Sequence, residues 1–153
     1  MTTATTLSSV TTSKEDYLKA IWTLSERESR DGTQHAMTNE LAERLAVSPP
    51  AVSRMLKQME RQSLVVHTPY YGVRLTGKGR AVALKIVRRH RLIELFLTEV
   101  LDYAPDAIHG EAERLEHHVS DEFTERINVL LEKPKRCPHG SPIPDKNGIF
   151  QAL

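Results

Sequence analysis

The 153-residue chain contains a single cysteine, Cys137. That excludes an internal disulfide framework and fits a reducing compartment. Aromatic residues make up only 5% of the chain, and no apolar run approaches the roughly 18 residues a membrane span requires. The polar start from Met1 to Ser13 has no hydrophobic stretch of the signal-peptide kind. A cytoplasmic protein without a membrane partner is expected. Charge of one sign is also missing overall, with 21 Lys and Arg against 20 Asp and Glu. The balance hides a segregation. From Arg44 to Arg80 seven basic residues face one acid, Glu60, whereas from Asp102 to Glu132 nine acids face two arginines. A basic middle suits a polyanion and an acidic later segment suits cations.

The chain length suits one compact domain or two small ones. Residues 1–12, rich in Thr and Ser, read as a disordered tail. Ser13 is then a candidate N-cap for an amphipathic helix ending near Arg27, with Tyr17, Leu18, Ile21, Trp22 and Leu24 inward. The polar stretch Glu28 to Gln34 reads as a loop. Thr38 is placed as the cap of a short helix through Leu45. After a turn at Ala46-Val47-Ser48, Ser48 caps a second helix to about Gln62, with Pro49 and Pro50 in its first turn. Leu64–His67 and Val73–Leu75 flank Pro69-Tyr70-Tyr71-Gly72 as a hairpin. Thr76 caps a long helix to about Leu101, Pro105 opens another, and Ser120 caps a last one through Leu131. Residues 134–144 carry four prolines and read as irregular.

Short helix, tight turn, second helix and hairpin is the order of a winged helix-turn-helix. Its second helix enters the DNA major groove and must present small, polar and basic side chains. Here that face is Ser48, Pro50, Ala51, Ser53, Arg54, Lys57 and Arg61. Arg54 can reach a guanine edge, while Ser48, Pro50 and Ala51 permit close approach or a thymine-methyl contact. Thr38, Asn39, Arg61, Tyr71 and Arg74 suit phosphates, which position without reading sequence.

A second constellation lies downstream. As a helix, residues 109–118 stack His109, Glu113, Glu116 and His117 on one face. Like charges so placed repel or stay solvated unless a cation lies among them. His90 and Glu94 form an i, i+4 pair on the long helix, and Asp16 lies at the start of the first helix. Carboxylate and imidazole ligands without thiolate favour a six-coordinate ion such as Mn(II) or Fe(II). Taken alone, such a Glu-x-x-Glu-His segment is more often a solvated face; its combination with a DNA module carries the metal reading. His35, His67, His118 and His139 are read as ordinary surface residues.

These segments together resemble the diphtheria toxin repressor (DtxR) family of metal-dependent bacterial repressors. The resemblance rests on Glu15-Asp16-Tyr17-Leu18, Leu41 to Leu45 leading to Ser48 to Ser53, and Leu75-Thr76-Gly77-Lys78-Gly79. It continues through Arg89 to Glu94, the 109–118 segment and Cys137 to Pro144. It implies a mainly α fold: a winged helix-turn-helix over 13–75 and an all-helical metal-binding and dimerisation domain over 76–144. Residues 145–153 are a C-terminal tail, either the end of a short member or a truncated link to an SH3-like domain.

By the same resemblance, Asp16, Glu113, Glu116 and His117 form a primary metal site, and His90, Glu94 and His109 an ancillary one, two sites per subunit. Iron-type members carry Met at the position of Asp16 and Cys at that of Glu113. The oxygen version present here is manganese-type (MntR-like), so Mn(II) is expected, with Fe(II) as the alternative. Lys19 stands where short manganese-type members have Glu, so their closely bridged metal pair is not implied.

The expected function is a metal-responsive repressor of metal-uptake genes, binding a palindromic operator in double-stranded DNA as a homodimer. Phe96, Leu97 and Leu101 are spare apolar positions for the dimer contact. The competing reading is a metalloenzyme built on the helical carboxylate and His site. Di-iron carboxylate enzymes need Glu-x-x-His pairs on two helices, which neither candidate helix has. With no nucleophile–base pair and no phosphate-binding glycine loop, an enzyme with a small organic substrate is not expected. A third reading is a metal-independent winged-helix regulator whose acidic face binds a protein.

Overall fold

The computed structural model describes residues 10–27 and 35–151. The expected loop Glu28–Gln34 and most of the expected N-terminal tail lie outside them. The fold is mainly helical with one small antiparallel sheet, in the order α1 (Thr12–Trp22), α2 (Thr38–Leu45), α3 (Pro49–Arg61), β1 (Val65–Thr68), β2 (Gly72–Leu75), α4 (Gly77–Glu99), α5 (Pro105–Leu115) and α6 (Asp121–Leu130). Two compact units divide the chain, Met1–Ala83 and Leu84–Leu153, with the boundary inside α4. Among the described residues no helix is long and apolar enough to cross a membrane.

In the first unit α1 starts two residues earlier than its sequence suggests. Three hydroxyl residues in a row could cap it, and Thr11 does so, its Oγ1 accepting from Lys14 N–H at 3.3 Å. Ser13 is therefore already helical. Tyr17, Leu18, Ile21 and Trp22 are buried as expected, and Leu24 only half so. Past Trp22 the helix widens into a π turn, Thr23–Arg27. Thr23 donates to Lys19 O at 2.9 Å and Ser25 to Ile21 O at 2.5 Å. Hydroxyls that compete for carbonyls four residues back loosen the helical ladder locally.

Thr38 is the first residue of α2 and Met37 its cap; the Met37 N–H donates to Glu40 Oε2 at 3.0 Å, satisfying one end-of-helix donor. Ala46 turns the chain in the left-handed region (φ 54). Ser48 caps α3 as expected, accepting from Ala51 N–H. Val52, Leu56 and Met59 of α3 join Leu18, Ile21, Leu41 and Leu64 as the core of this unit. Each such side chain removed from water contributes about 1.5–3 kcal/mol.

β1 and β2 pair from Val65↔Leu75 to Thr68↔Gly72. The far side of β2 is held by Ala36, whose N–H donates to Val73 O (2.7 Å) and whose carbonyl accepts from Val73 N–H (2.8 Å). Thr76 then caps α4: its hydroxyl accepts from Gly79 N–H (3.0 Å) and donates to Ser63 O (2.6 Å).

The second unit is built on Leu92, Ile93, Leu95, Leu97, Ile108, Ala112, Ile127 and Ile143. Leu97, expected to be spare for a dimer contact, is a core residue at 1% exposure, because it lies on the same face of α4 as Ile93. Phe96 is half-buried and Leu101 exposed. Ser120 caps α6 through Phe123 N–H at 3.0 Å.

Polar contacts join α4 to α6. Asp121 accepts from Lys85 Nζ and Arg89 Nη2, both at 2.8 Å, and Glu125 accepts from buried Arg88 at 2.8 Å. Burial pushes the Asp121 carboxyl up, but the hydrogen bonds and charges of Lys85 and Arg89 outweigh it and hold the group below its ordinary value. Its contribution to stability is therefore complete above the ordinary carboxylate range and lost as pH falls through the lowered folded value. Because Asp121 is 62% exposed, salt screens the interaction. Asp121→Asn is expected to flatten the acid limb of a thermal-melt series recorded against pH at low salt. An unchanged limb would assign the acid sensitivity elsewhere.

Candidate metal centre and DNA-reading face

α4 presents His90 and Glu94 inward one turn apart, both buried, at 6% and 2% exposure. His90 Nε2 lies 3.0 Å from Glu94 Oε1. Its other nitrogen, Nδ1, is 2.5 Å from Glu116 Oε2, and Glu116 is fully buried. Carboxylates at both ring nitrogens fix the imidazole plane, with Nδ1 toward Glu116 and Nε2 toward Glu94.

α5 opens on Pro105 and ends at Leu115, three residues short of the helix read over 109–118. Its last helical bond runs from Glu116 N–H to Ala112 O (2.9 Å), after which His118 N–H closes a tighter turn onto Leu115 O (3.0 Å). The four residues expected on one face therefore differ in surroundings. Glu116 is buried against His90. Glu113 is about half exposed and pairs with His109 Nε2 at 3.0 Å. His117 Nε2 is 3.5 Å from Glu116 Oε1.

His109 stands between the two expected sets. It meets Glu113 through Nε2, its Nδ1 is 3.9 Å from Glu94 Oε2, and its ring packs edge-on to that of His90 at 4.9 Å. His90, Glu94 and His109 can each aim one ligand atom within 4.8 Å of the others. Asp16 sits on α1, in the first unit.

A third group lies outside both expected sets. Glu94, Cys137 and His139 also offer ligand atoms within 4.8 Å of one another. Cys137 is buried and not in a disulfide, and His139 Nδ1 lies 3.0 Å from Glu94 Oε2. A tight turn presents the pair: Gly140 N–H donates to Cys137 O and Cys137 N–H to Ser141 O, both at 2.9 Å. Two arginines of α4 clamp the segment, Arg88 donating to Pro144 O at 2.9 Å and Arg91 to Pro142 O. The available signal was the Cys-x-His spacing followed by Gly, which places two ligands on one turn.

Glu94 is the hub. Burial pushes its carboxyl up, yet the hydrogen bond from His90 and the charges of His90, His139 and His109 together hold it below its ordinary value. Its Oε2 is buried and makes no hydrogen bond among the described residues, despite His139 at 3.0 Å. Close polar atoms without hydrogen-bond alignment are what lone pairs converging on a common cation produce. A buried carboxylate oxygen left unsatisfied is costly, so the donor set fits a divalent metal ion.

On the first unit, Ser48, Pro50, Ser53, Arg54, Lys57 and Arg61 are exposed, Ala51 half-buried. Asn39 is exposed and Thr38 half-buried at the start of α2. The opposite face of α3 is core, so its outward stripe is polar and basic, as a groove-entering helix requires. Tyr70 (98% exposed) and Tyr71 (69%) form the tip of the hairpin.

Comparison with known proteins agrees with this layout. Residues 9–73 match the N-terminal DNA-binding domain of the iron-dependent repressors, and residues 76–145 match their metal-binding and dimerisation domain. The chain is 38% identical over 130 residues to the diphtheria toxin repressor of Corynebacterium efficiens, covering 85% of this chain and 54% of that protein. It is 39% identical over 121 residues to an HTH-type transcriptional regulator of Methanocaldococcus jannaschii, covering 79% of this chain and 94% of that one.

Among solved structures, the manganese regulator SloR superposes with a TM-score of 0.77 at 46% identity, covering 90% of this chain and 62% of that one. A manganese-dependent transcriptional repressor in complex with manganese gives 0.80 at 44%, covering 92% and 62%. The chain thus spans about half the length of the diphtheria toxin repressor it matches. With both domains matched in order, the chain belongs to the iron-dependent repressor family, that of the diphtheria toxin repressor.

Proposed function

We propose that the chain is a Mn(II)-responsive DNA-binding regulator that represses metal-uptake genes as a homodimer on a palindromic operator, in the cytoplasm. The observation that carries the metal half is the buried, hydrogen-bond-free Glu94 Oε2 facing His109 and His139. Glu94, His90 and His109 hold one cation, with Cys137 and His139 as further ligands at Glu94. Glu113, Glu116 and His117 hold another, completed by Asp16; this set rests on the family pattern. Manganese is favoured by the oxygen-rich ligands of that set and by relatives named as manganese regulators. The specific observation favouring Fe(II) or a softer ion is the thiol of Cys137 beside Glu94.

Bound cation supplies positive charge among carboxylates that otherwise repel. That favours one arrangement of the DNA-binding and helical domains over others, a population shift set by differential affinity. In a two-fold dimer this fixes the separation of two recognition helices, which must match half-sites about 34 Å apart. Leu101, Tyr103, Phe123, Val129 and Leu130 are exposed apolar side chains of the helical unit and supply the dimer surface.

The test is binding to a duplex selected from a random-sequence pool by the Mn(II)-loaded protein, measured after chelation and again after Mn(II) is restored. Loss and recovery support the proposal; binding indifferent to metal would leave a metal-independent regulator. On the same duplex, Arg54→Ala is expected to relax discrimination at one base position by about 1–3 kcal/mol, whereas Arg61→Ala weakens all sequences alike. Uniform weakening by both would deny Arg54 a base-reading role.

A further inference from the structure

Glu60 is the one acid between Arg44 and Arg80. It lies on α3 with Lys57 one turn before it and Arg61 directly after, on the helix that is to face phosphates. A carboxylate there opposes DNA binding, so its presence calls for a reason. The hairpin gives one. Val73 spends both its N–H and its carbonyl on Ala36, so the opposed pair His67↔Val73 exchanges no hydrogen bonds. The N–H of His67 therefore points off the outer edge of β1, away from β2. Glu60 Oε1 accepts it at 3.0 Å. β2 is thus tied on one side to Ala36, and β1 on the other to the recognition helix.

We infer that Glu60 is a positioning residue, a strut that sets the wing against the recognition helix so that the exposed Tyr70–Tyr71 tip meets DNA flanking the major-groove site. The inference rests on the DNA-binding reading above. Without the strut, β1 loses its tie to α3 and the wing is held laterally from the β2 side alone, by Ala36. The charge of Glu60 is then a cost of the strut, and Glu60 does not read bases, although a free carboxylate on α3 could accept from cytosine.

Two substitutions separate strut from charge. Glu60→Gln keeps an oxygen acceptor and removes the charge, and Glu60→Ala removes both. Site-resolved amide exchange reads the strut directly. In Glu60→Ala the His67 N–H is expected to exchange about tenfold faster or more, as loss of a charge-assisted bond implies, while Glu60→Gln stays within a few-fold of wild type. DNA binding reads its purpose, using the pool-selected duplex with and without several added flanking base pairs, in Mn(II). Wild type and Glu60→Gln should gain affinity from the flanks, with Glu60→Gln tighter at low salt. Glu60→Ala should lose that gain while keeping its base preference.

Unchanged His67 exchange in Glu60→Ala, an undiminished flank gain, or a base preference altered at a single position would overturn the inference. If the wild type selects no duplex at all, the DNA-binding reading fails, and the exchange measurement alone decides whether the strut exists.

Discussion

Glu94→Gln is expected to abolish the stabilisation of the protein by Mn(II). Glu94 is buried, its Oε1 lies 3.0 Å from His90 Nε2, and its Oε2 accepts no hydrogen bond among the described residues. The surrounding imidazoles hold its carboxyl below the ordinary value, so the amide, which removes the charge at almost unchanged volume, is also expected to lower metal-free stability modestly at neutral pH. Outer-shell partners of a metal ligand alone are worth about 10–100-fold in affinity, so losing the carboxylate whose Oε1 meets His90 and whose Oε2 meets His109 and His139 should cost at least that. Wild type at a free Mn(II) concentration of 100 times its Kd gains about 2.7 kcal/mol; the variant should gain almost none. The readout is the Mn(II)-induced shift in Tm, which a purely structural role would leave intact however far it lowered the metal-free Tm. Equal Mn(II) stabilisation of both proteins would remove Glu94 from the site.

The second large effect is on folding. A Cβ on Gly79 would stand 1.9 Å from Leu64 O and 2.9 Å from Leu64 C. Both are backbone atoms, and the same Leu64 carbonyl accepts from Thr76 N–H at 3.1 Å. Relief by a side-chain rotation is therefore closed, and the hairpin must part from the start of α4. Gly79→Ala is expected to cost about 3 kcal/mol, the upper end for overpacking. For a unit of this size that is a fall of roughly 12–24 °C in Tm. Gly77 supplies the control: a Cβ there meets nothing within 4 Å among the described residues, so Gly77→Ala should be neutral or stabilising by about 0.5–1 kcal/mol. If the two variants melt together, close approach at Leu64 does not constrain this junction.

Much of this architecture could be read from the chain because its determinants are local. The recognition helix announces itself through Ser48, two prolines and an apolar spacing of Val52, Met55 or Leu56, and Met59, of which packing selects Leu56. The wing announces itself through Pro69 to Gly72. Cap positions moved by one or two residues where several candidates stand together, as at Thr11, Thr12 and Ser13, and the competition is decided by which hydroxyl reaches an amide. The metal centre divides along the same line. His90 with Glu94, and Glu113 with Glu116 and His117, are helix-spaced and visible. That α5 ends at Leu115, turning Glu116 inward and leaving Glu113 outside, depends on packing against α4 that no spacing encodes. Cys137 and His139 reach Glu94 only because Arg88 and Arg91 hold the proline-rich segment by its carbonyls. An isolated cysteine and histidine in irregular chain carry no periodic signal.

That donor set bears on which metal the protein answers. In the proposed site, carboxylates at Asp16 and Glu113 would favour manganese, whereas a thiol beside Glu94 would extend the range toward iron and softer ions. Asp16→Met with Glu113→Cys is expected to move the metal response away from manganese, and Cys137→Ser to narrow it toward hard ions.

In the proposed regulator, metal binding and DNA binding are coupled, and coupling is reciprocal. If Mn(II) raises affinity for the selected duplex by some factor, the duplex must raise affinity for Mn(II) by the same factor. Titration of the protein with Mn(II), in the presence and absence of saturating duplex, measures that factor directly. Tighter Mn(II) binding in the presence of the duplex is predicted, by the factor that Mn(II) contributes to DNA affinity. Mn(II) affinity indifferent to the duplex would mean that metal does not switch DNA binding, even if metal and DNA each bind.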